Sequence, residues 1–166
     1  MPPTALRQTQ GVAGKRSAGI LLFRRTADQL EVLLGHMGGP LWARREQAGW
    51  SLPKGEYLPD EQPLAAALRE FAEELGIAVP DVHLIELGAV RQPSGKVVTV
   101  WAGESDLDLA DFAPGTFEME WPRGSGRAQT FPEIDRVAWL DLAAARPALV
   151  AGQREFLDRL VAHLEG

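Results

Sequence analysis

A mixed α/β or α+β sandwich is the fold class that the sequence predicts. Short apolar runs of strand length alternate with two longer amphipathic segments, and no internal repeat or linker separates two cores. The 166 residues fit one domain that is large enough to bury a core.

Residues 1–16 (MPPTALRQTQGVAGKR) lack periodicity and are rich in turn formers, so they read as a flexible tail ahead of a single domain over residues 17–166. Residues 18–23 and 30–34 are apolar runs joined by Thr26-Ala27-Asp28-Gln29, the pattern of a hairpin. Residues 35–49 are irregular, with Gly38-Gly39-Pro40 and the cluster Trp42, Arg44 and Arg45. Long loops of this kind are more often functional than decorative. Residues 61–75 predict the clearest helix. Asp60 is placed to cap it, and Pro63 sits in the first turn, where proline is tolerated. Leu64, Leu68, Phe71 and Leu75 form one apolar stripe, and Gly76 is a natural C-terminal stop. Strands are expected over residues 84–90 and 97–101. An acidic stretch (104–111) and a Gly/Pro-rich connection through Gly126 follow, then a short strand at 137–140 and a closing helix at 153–164.

Composition narrows the function classes. No run approaches the roughly eighteen apolar residues needed to cross a bilayer. The short apolar run after Lys15-Arg16 is followed at once by Arg24-Arg25 and lacks a small-residue cleavage site, so it is not read as a secretory signal. The chain has no cysteine, which excludes disulfides and thiolate metal sites and fits a cytoplasmic protein. A net charge of −6 gives no sign of a nucleic-acid-binding surface. It does not exclude nucleotides, because a bound divalent cation reverses the local potential. The expected partner is therefore a small-molecule nucleotide rather than a membrane or a nucleic acid, with a homodimer left open.

On the helix at 61–75, Glu70, Glu73 and Glu74 stand at i, i+3 and i+4. At about 100° per residue they span an arc of about 100°, roughly 130° from the apolar stripe. Three like charges at that spacing repel one another. One reading is a solvated acidic face with Arg69 and Arg91 as counterions; the other is a site for Mg²⁺ or Mn²⁺, hard cations that prefer carboxylate oxygen.

The surrounding residues favour the second reading. Residues 55–77 read GEYLPDEQPLAAALREFAEELGI, with Gly55, Glu61, Arg69, Glu70, Phe71, Glu73, Glu74, Gly76 and Ile77 at the spacing G-x5-E-x7-R-E-U-x-E-E-x-G-U, where U is a bulky apolar residue. This resembles the Nudix box at every defined position. Chance would produce the match on the order of once in a billion starting positions.

The resemblance implies an α/β/α sandwich around a mixed sheet. It also implies hydrolysis of a nucleoside diphosphate linked to a group X, with Mg²⁺ or Mn²⁺ as cofactor. Glu70, Glu73 and Glu74 would hold the cations, joined by the backbone carbonyl of Lys54. Arg69 and Glu61 would orient those carboxylates, and Gly55 and Gly76 would serve the turns at either end. A glutamate such as Glu73 or Glu70 would act as base, or Glu133, which precedes a short strand as in Nudix enzymes that recruit a loop glutamate. Glu118 and Glu120 are its rivals.

Substrate choice lies outside the box. Trp50-Ser51-Leu52-Pro53-Lys54-Gly55 resembles the entry of dinucleoside polyphosphate hydrolases, which gives Lys54 an extra phosphate to meet. Glu56 stands where those enzymes often carry histidine. Pro93, sixteen residues after Ile77, is close to a marker proline of ADP-ribose hydrolases, and it also suits an ordinary turn. Arg44, Arg45, Arg123 and Arg127 are candidate phosphate clamps, and Trp42, Trp50 and Trp121 candidate stacking partners. His36, His83 and His163 show no metal-ligand spacing. The favoured substrate is a dinucleoside polyphosphate. Nucleoside triphosphates or ADP-ribose are the alternative, and a non-hydrolytic nucleotide-sensing module is the third reading.

Overall fold

A computed structural model describes residues 15–166. The expected tail over residues 1–16 therefore lies almost wholly outside the described residues. Within them, the strand that opens the domain already includes Arg16.

The strands are β1 (Arg16–Arg25), β2 (Leu30–Met37), β3 (Trp50–Ser51), β4 (Lys54–Glu56), β5 (Leu84–Arg91), β6 (Val97–Glu104), β7 (Thr116–Glu120), β8 (Ala128–Pro132) and β9 (Ile134–Asp141). The helices are α1 (Pro63–Leu75), α2 (Leu142–Ala148) and α3 (Glu155–Glu165). Seven strands form one sheet in the order β3-β2-β1-β6-β5, with β4 also on β1 and β9 also on β2. The β1–β2 pairing is antiparallel and closes across Thr26–Gln29, as the apolar runs predict. β1 and β6 are parallel, so the sheet is mixed.

Alternation along β1 explains the two cores. Ala18, Ile20 and Leu22 face α1, packing with Ala66, Ala67, Phe71 and Leu75. Leu21 and Phe23 face the other way, toward Phe156, Leu157 and Leu160 of α3. Helices thus cover both sides of the sheet, the expected α/β/α sandwich.

One edge of β1 is shared by two strands. Ser17–Gly19 pair with β4, whereas Phe23–Arg25 pair with β2. Between them Ile20 donates its N–H to Pro53 O at 3.0 Å. β2 and β4 thus part company along β1, and Met37, Ser51 and Lys54, from the ends of β2, β3 and β4, line a common recess.

Several expectations need correction. The helix begins at Pro63, not residue 61, and Gln62 rather than Asp60 occupies the cap position without a side-chain hydrogen bond. Leu68 is 36% exposed, while Ala66 and Ala67 are fully buried. The small alanines let α1 lie close against β1, and this rotates the buried face away from Leu68 toward Glu74. Gly76 does end the helix in the left-handed conformation, φ 70°, its N–H donating to Ala72 O at 2.8 Å. The connection expected between residues 104 and 126 contains β7, which pairs with β8 in a separate hairpin. An additional helix, α2, follows β9 and is capped by Asp141, whose carboxylate accepts from Ala144 N–H at 2.8 Å. The closing helix starts at Glu155, after a single 3-10 turn over Ala151–Gln153. Among the described residues no helix is long and apolar enough to cross a membrane.

Candidate functional site

The N-terminal end of β4 and one side of α1 meet directly. Lys54 donates its backbone N–H to Glu74 Oε1 at 2.7 Å. At the next residue, a Cβ on Gly55 would lie 2.0 Å from Glu70 Cδ and Oε2. Only glycine lets β4 approach the helix with that carboxyl group in place.

Arg69 ties the remaining carboxylates together. Its Nε and Nη2 donate to the two oxygens of Glu61, each at 2.8 Å, a bidentate pair. Its Nη1 donates to Glu70 Oε1 at 2.9 Å and Glu73 Oε2 at 3.2 Å. The guanidinium holds Glu61 below the usual carboxylate range. Arg91, the other expected counterion, has no ion pair among the described residues.

Glu133 comes to the same place from far along the chain. Its backbone N–H donates to Gly115 O at 2.8 Å, and Gly115 N–H donates to Glu73 O at 3.2 Å, so two hydrogen bonds tether it to α1. Burial raises the Glu133 carboxyl above its ordinary pKa, and the charges of Glu70 and Glu73 add to the shift. Glu74 is pushed up to about 8, chiefly by burial. Its contacts with Lys54 oppose the shift, whereas Glu133 and Glu70 reinforce it. Lys54 is shifted down by burial and by neighbouring Lys96, with Glu74, Glu56 and Glu70 opposing.

Lys54, Glu74 and Glu133 line a cleft of about 230 Å³ with Trp42 and Phe117. A second cleft, of about 370 Å³, adjoins it and shares Lys54 and Trp42; Gln92, Pro93 and Gly152 line its far side. Lys54 thus stands between the carboxylates and the larger space.

Other candidates fall elsewhere. Arg45 stacks its guanidinium 5.2 Å from the Trp42 ring centroid, and Arg44 is exposed on the same loop without lining either cleft. Arg123 and Arg127 are exposed near the tip of the β7–β8 hairpin. Glu118 lies on the hairpin face opposite Phe117, and Glu120 is held by the Gly124 and Gly126 N–H groups at 2.9 and 3.2 Å. Trp50 is largely buried in the core, with the Arg136 guanidinium over its ring, and lines neither cleft. His36, fully buried, bridges Asp135 Oδ1 at 2.8 Å and the Arg45 carbonyl at 2.9 Å, which anchors the loop that carries Trp42. Phe117 and Gln92 line the clefts without any sequence motif that marks them as site residues.

The donor set suits a hard divalent cation: Glu74 and Glu133 bring two carboxylates to one cleft, and the pKa of Glu74 is raised by burial and by the charges of Glu133 and Glu70. Among the described residues no three acidic side chains yet converge on one point. Glu70 and Glu73 instead turn to Arg69, and Glu74 to the Lys54 N–H.

A family model described as NUDIX domain matches residues 14–160. The chain belongs to the Nudix family. Among curated Nudix relatives, the RNA pyrophosphohydrolase of Pseudomonas putida is 42% identical over 55 residues, which span 32% of this chain and 35% of that protein. The enzyme of the same name from Proteus mirabilis is 40% identical over 55 residues, spanning 32% of this chain and 31% of its own. The matched segment therefore reaches about a third of these relatives' length. A C. elegans Ap4A hydrolase in a binary complex superposes on this Nudix domain with a TM-score of 0.64 at 23% identity, covering 92% of this chain and 98% of that one. The NUDIX domain of Shewanella oneidensis NrtR, complexed with ADP ribose, gives 0.60 at 20% identity, covering 91% and 88%. At such identities the shared property is the fold.

Proposed function

We propose that this Nudix domain hydrolyses a phosphoanhydride bond in a nucleoside diphosphate linked to a further group, with a dinucleoside polyphosphate as the favoured substrate. The observation that carries this reading is the position of Lys54, whose backbone holds Glu74 while its residue lines both clefts. A chain of phosphates running from the carboxylates past Lys54 would leave the nucleoside in the larger cleft.

Glu70, Glu73 and Glu74, with the Lys54 carbonyl, are the residues that would hold Mg²⁺ or Mn²⁺. When bound, the cation polarises the phosphoryl oxygens and stabilises the charge of the leaving phosphate. Arg69 and Glu61 hold the carboxylates in place through the bonds described above. Glu133 takes the proton of the attacking water, a role suited to a carboxylate made more basic by burial and by its acidic neighbours. The Lys54 ammonium meets a distal phosphate as a point charge.

One observation favours a second substrate, ADP-ribose: Pro93 does line the larger cleft, in the turn that joins β5 to β6. The P. putida and P. mirabilis relatives, named for RNA, add a third candidate. Turnover with Mg²⁺ of diadenosine tetraphosphate, ADP-ribose, ATP and a 5′-triphosphorylated oligonucleotide, scored by product, tests the proposal. Fastest cleavage of the tetraphosphate is expected. No turnover of any of the four would point instead to a nucleotide-sensing module.

A further inference from the structure

Gln92 offers the larger cleft a recognition group that the hydrolytic scheme does not use. Its main chain is fixed by a tight turn, with its N–H donating to Lys96 O at 2.7 Å and its carbonyl accepting from Gly95 N–H at 2.8 Å. Its side-chain amide makes no hydrogen bond among the described residues. The amide lies across Gly152, where a Cβ would come within 3.0 Å of Gln92 Nε2 and 3.1 Å of Cγ.

The other amide in the cleft wall is committed. Gln153 is fully buried; its Oε1 accepts from Leu52 N–H and its Nε2 donates to Ser51 Oγ, each at 2.9 Å. Gln153 therefore shapes the wall, whereas Gln92 is left to bind a visitor. Trp42 and Met37 complete the space, and the Arg45 guanidinium, which does not line it, packs over the Trp42 ring.

We propose that this cleft is an adenine subsite in which Gln92 reads the edge of the base. The carboxamide presents one donor beside one acceptor, the complement of the adenine N7 acceptor and N6 amino donor. Guanine carries an acceptor, O6, in place of that amino group and sets it against Gln92 Oε1. Trp42 and Met37 supply the flat, polarisable contact for the ring. The inference rests on the reading that the domain takes nucleotides, and it adds which base and which residue selects it.

Calorimetric titration of the full chain in EDTA with AMP and with GMP tests the subsite separately from hydrolysis. Wild type is expected to bind AMP about ten- to a hundredfold more tightly than GMP, the range for one bidentate base contact. Gln92→Leu should bring the two within about twofold. Gln92→Met, which keeps the length but loses both the donor and the acceptor, should also narrow the ratio and serves if the leucine variant does not fold. Equal affinities in wild type, or an unchanged ratio in the substituted protein, would overturn the subsite. The Mg²⁺-dependent kcat/KM ratio for diadenosine against diguanosine tetraphosphate should follow the same pattern. An AMP preference without turnover would reject hydrolysis and keep the subsite; turnover without base preference would do the reverse.

Discussion

The carboxyl group of Glu70 occupies the space that a Cβ on Gly55 would need, 2.0 Å from its Cδ. Gly55→Ala therefore must displace the Glu70 carboxyl group, whose other oxygen accepts from Arg69 Nη1. Since an ångström of misplacement in a catalytic group costs on the order of a hundredfold in rate, kcat should fall by about that factor. Steady-state kinetics across a Mg²⁺ titration checks this, and wild-type kcat in Gly55→Ala would contradict it.

Glu74 gives the metal-free protein a pH dependence of definite sign. Its folded pKa, about 8, lies above the ordinary 4.5. Its stabilising contribution is thus complete below about pH 4.5 and is lost as pH rises through about 8. Folding stability in EDTA should decline over that window by at most about 1.4 kcal/mol per pH unit, the limit for one proton. Glu74→Gln should flatten the decline and abolish most Mg²⁺-dependent turnover. Melting curves from pH 5 to 8 check the first expectation. Near pH 7, Mg²⁺ binding should release protons from wild type, measured by calorimetry in buffers of different ionisation heat.

Glu133→Gln should lower kcat on the order of a hundredfold with modest change in KM. Glu118→Gln and Glu120→Gln should stay near wild type, because one lies on the far face of the hairpin and the other is held in its own turn. A full-rate Glu133→Gln beside a crippled Glu118→Gln or Glu120→Gln would move the base to that residue.

Lys54→Ala should hurt tetraphosphate substrates more than ADP-ribose. One charge-assisted contact is worth roughly 1.5–3 kcal/mol, or about ten- to a hundredfold in kcat/KM. Equal losses on long and short substrates would remove the distal-phosphate role of Lys54.

Local signals made α1 and its carboxylates legible, since Glu70, Glu73 and Glu74 share a helix side by spacing alone. Which of them turns inward was not. That depends on Ala66 and Ala67 packing against β1, a contact that hydrophobic periodicity undervalues because alanine is small. Phe117-Glu118-Met119-Glu120-Trp121 alternates with the period of a strand, yet its turn-rich flanks masked the hairpin. Gln92 illustrates a different limit. Its turn can be read from Pro93-Ser94-Gly95, but its place beside Gly152 joins residues sixty positions apart and follows only from the folded chain.

The β7–β8 hairpin pairs with itself and stands apart from the seven-stranded sheet, rooted where Glu133 meets Gly115. At its tip, a Cβ on Gly124 or Gly126 would find nothing within 4 Å. The arm is consequently a modular handle. Peptide added between Gly124 and Ser125 extends into open space, so a fluorophore or an affinity sequence can be carried there while the tether that holds Glu133 near the helix stays as it is.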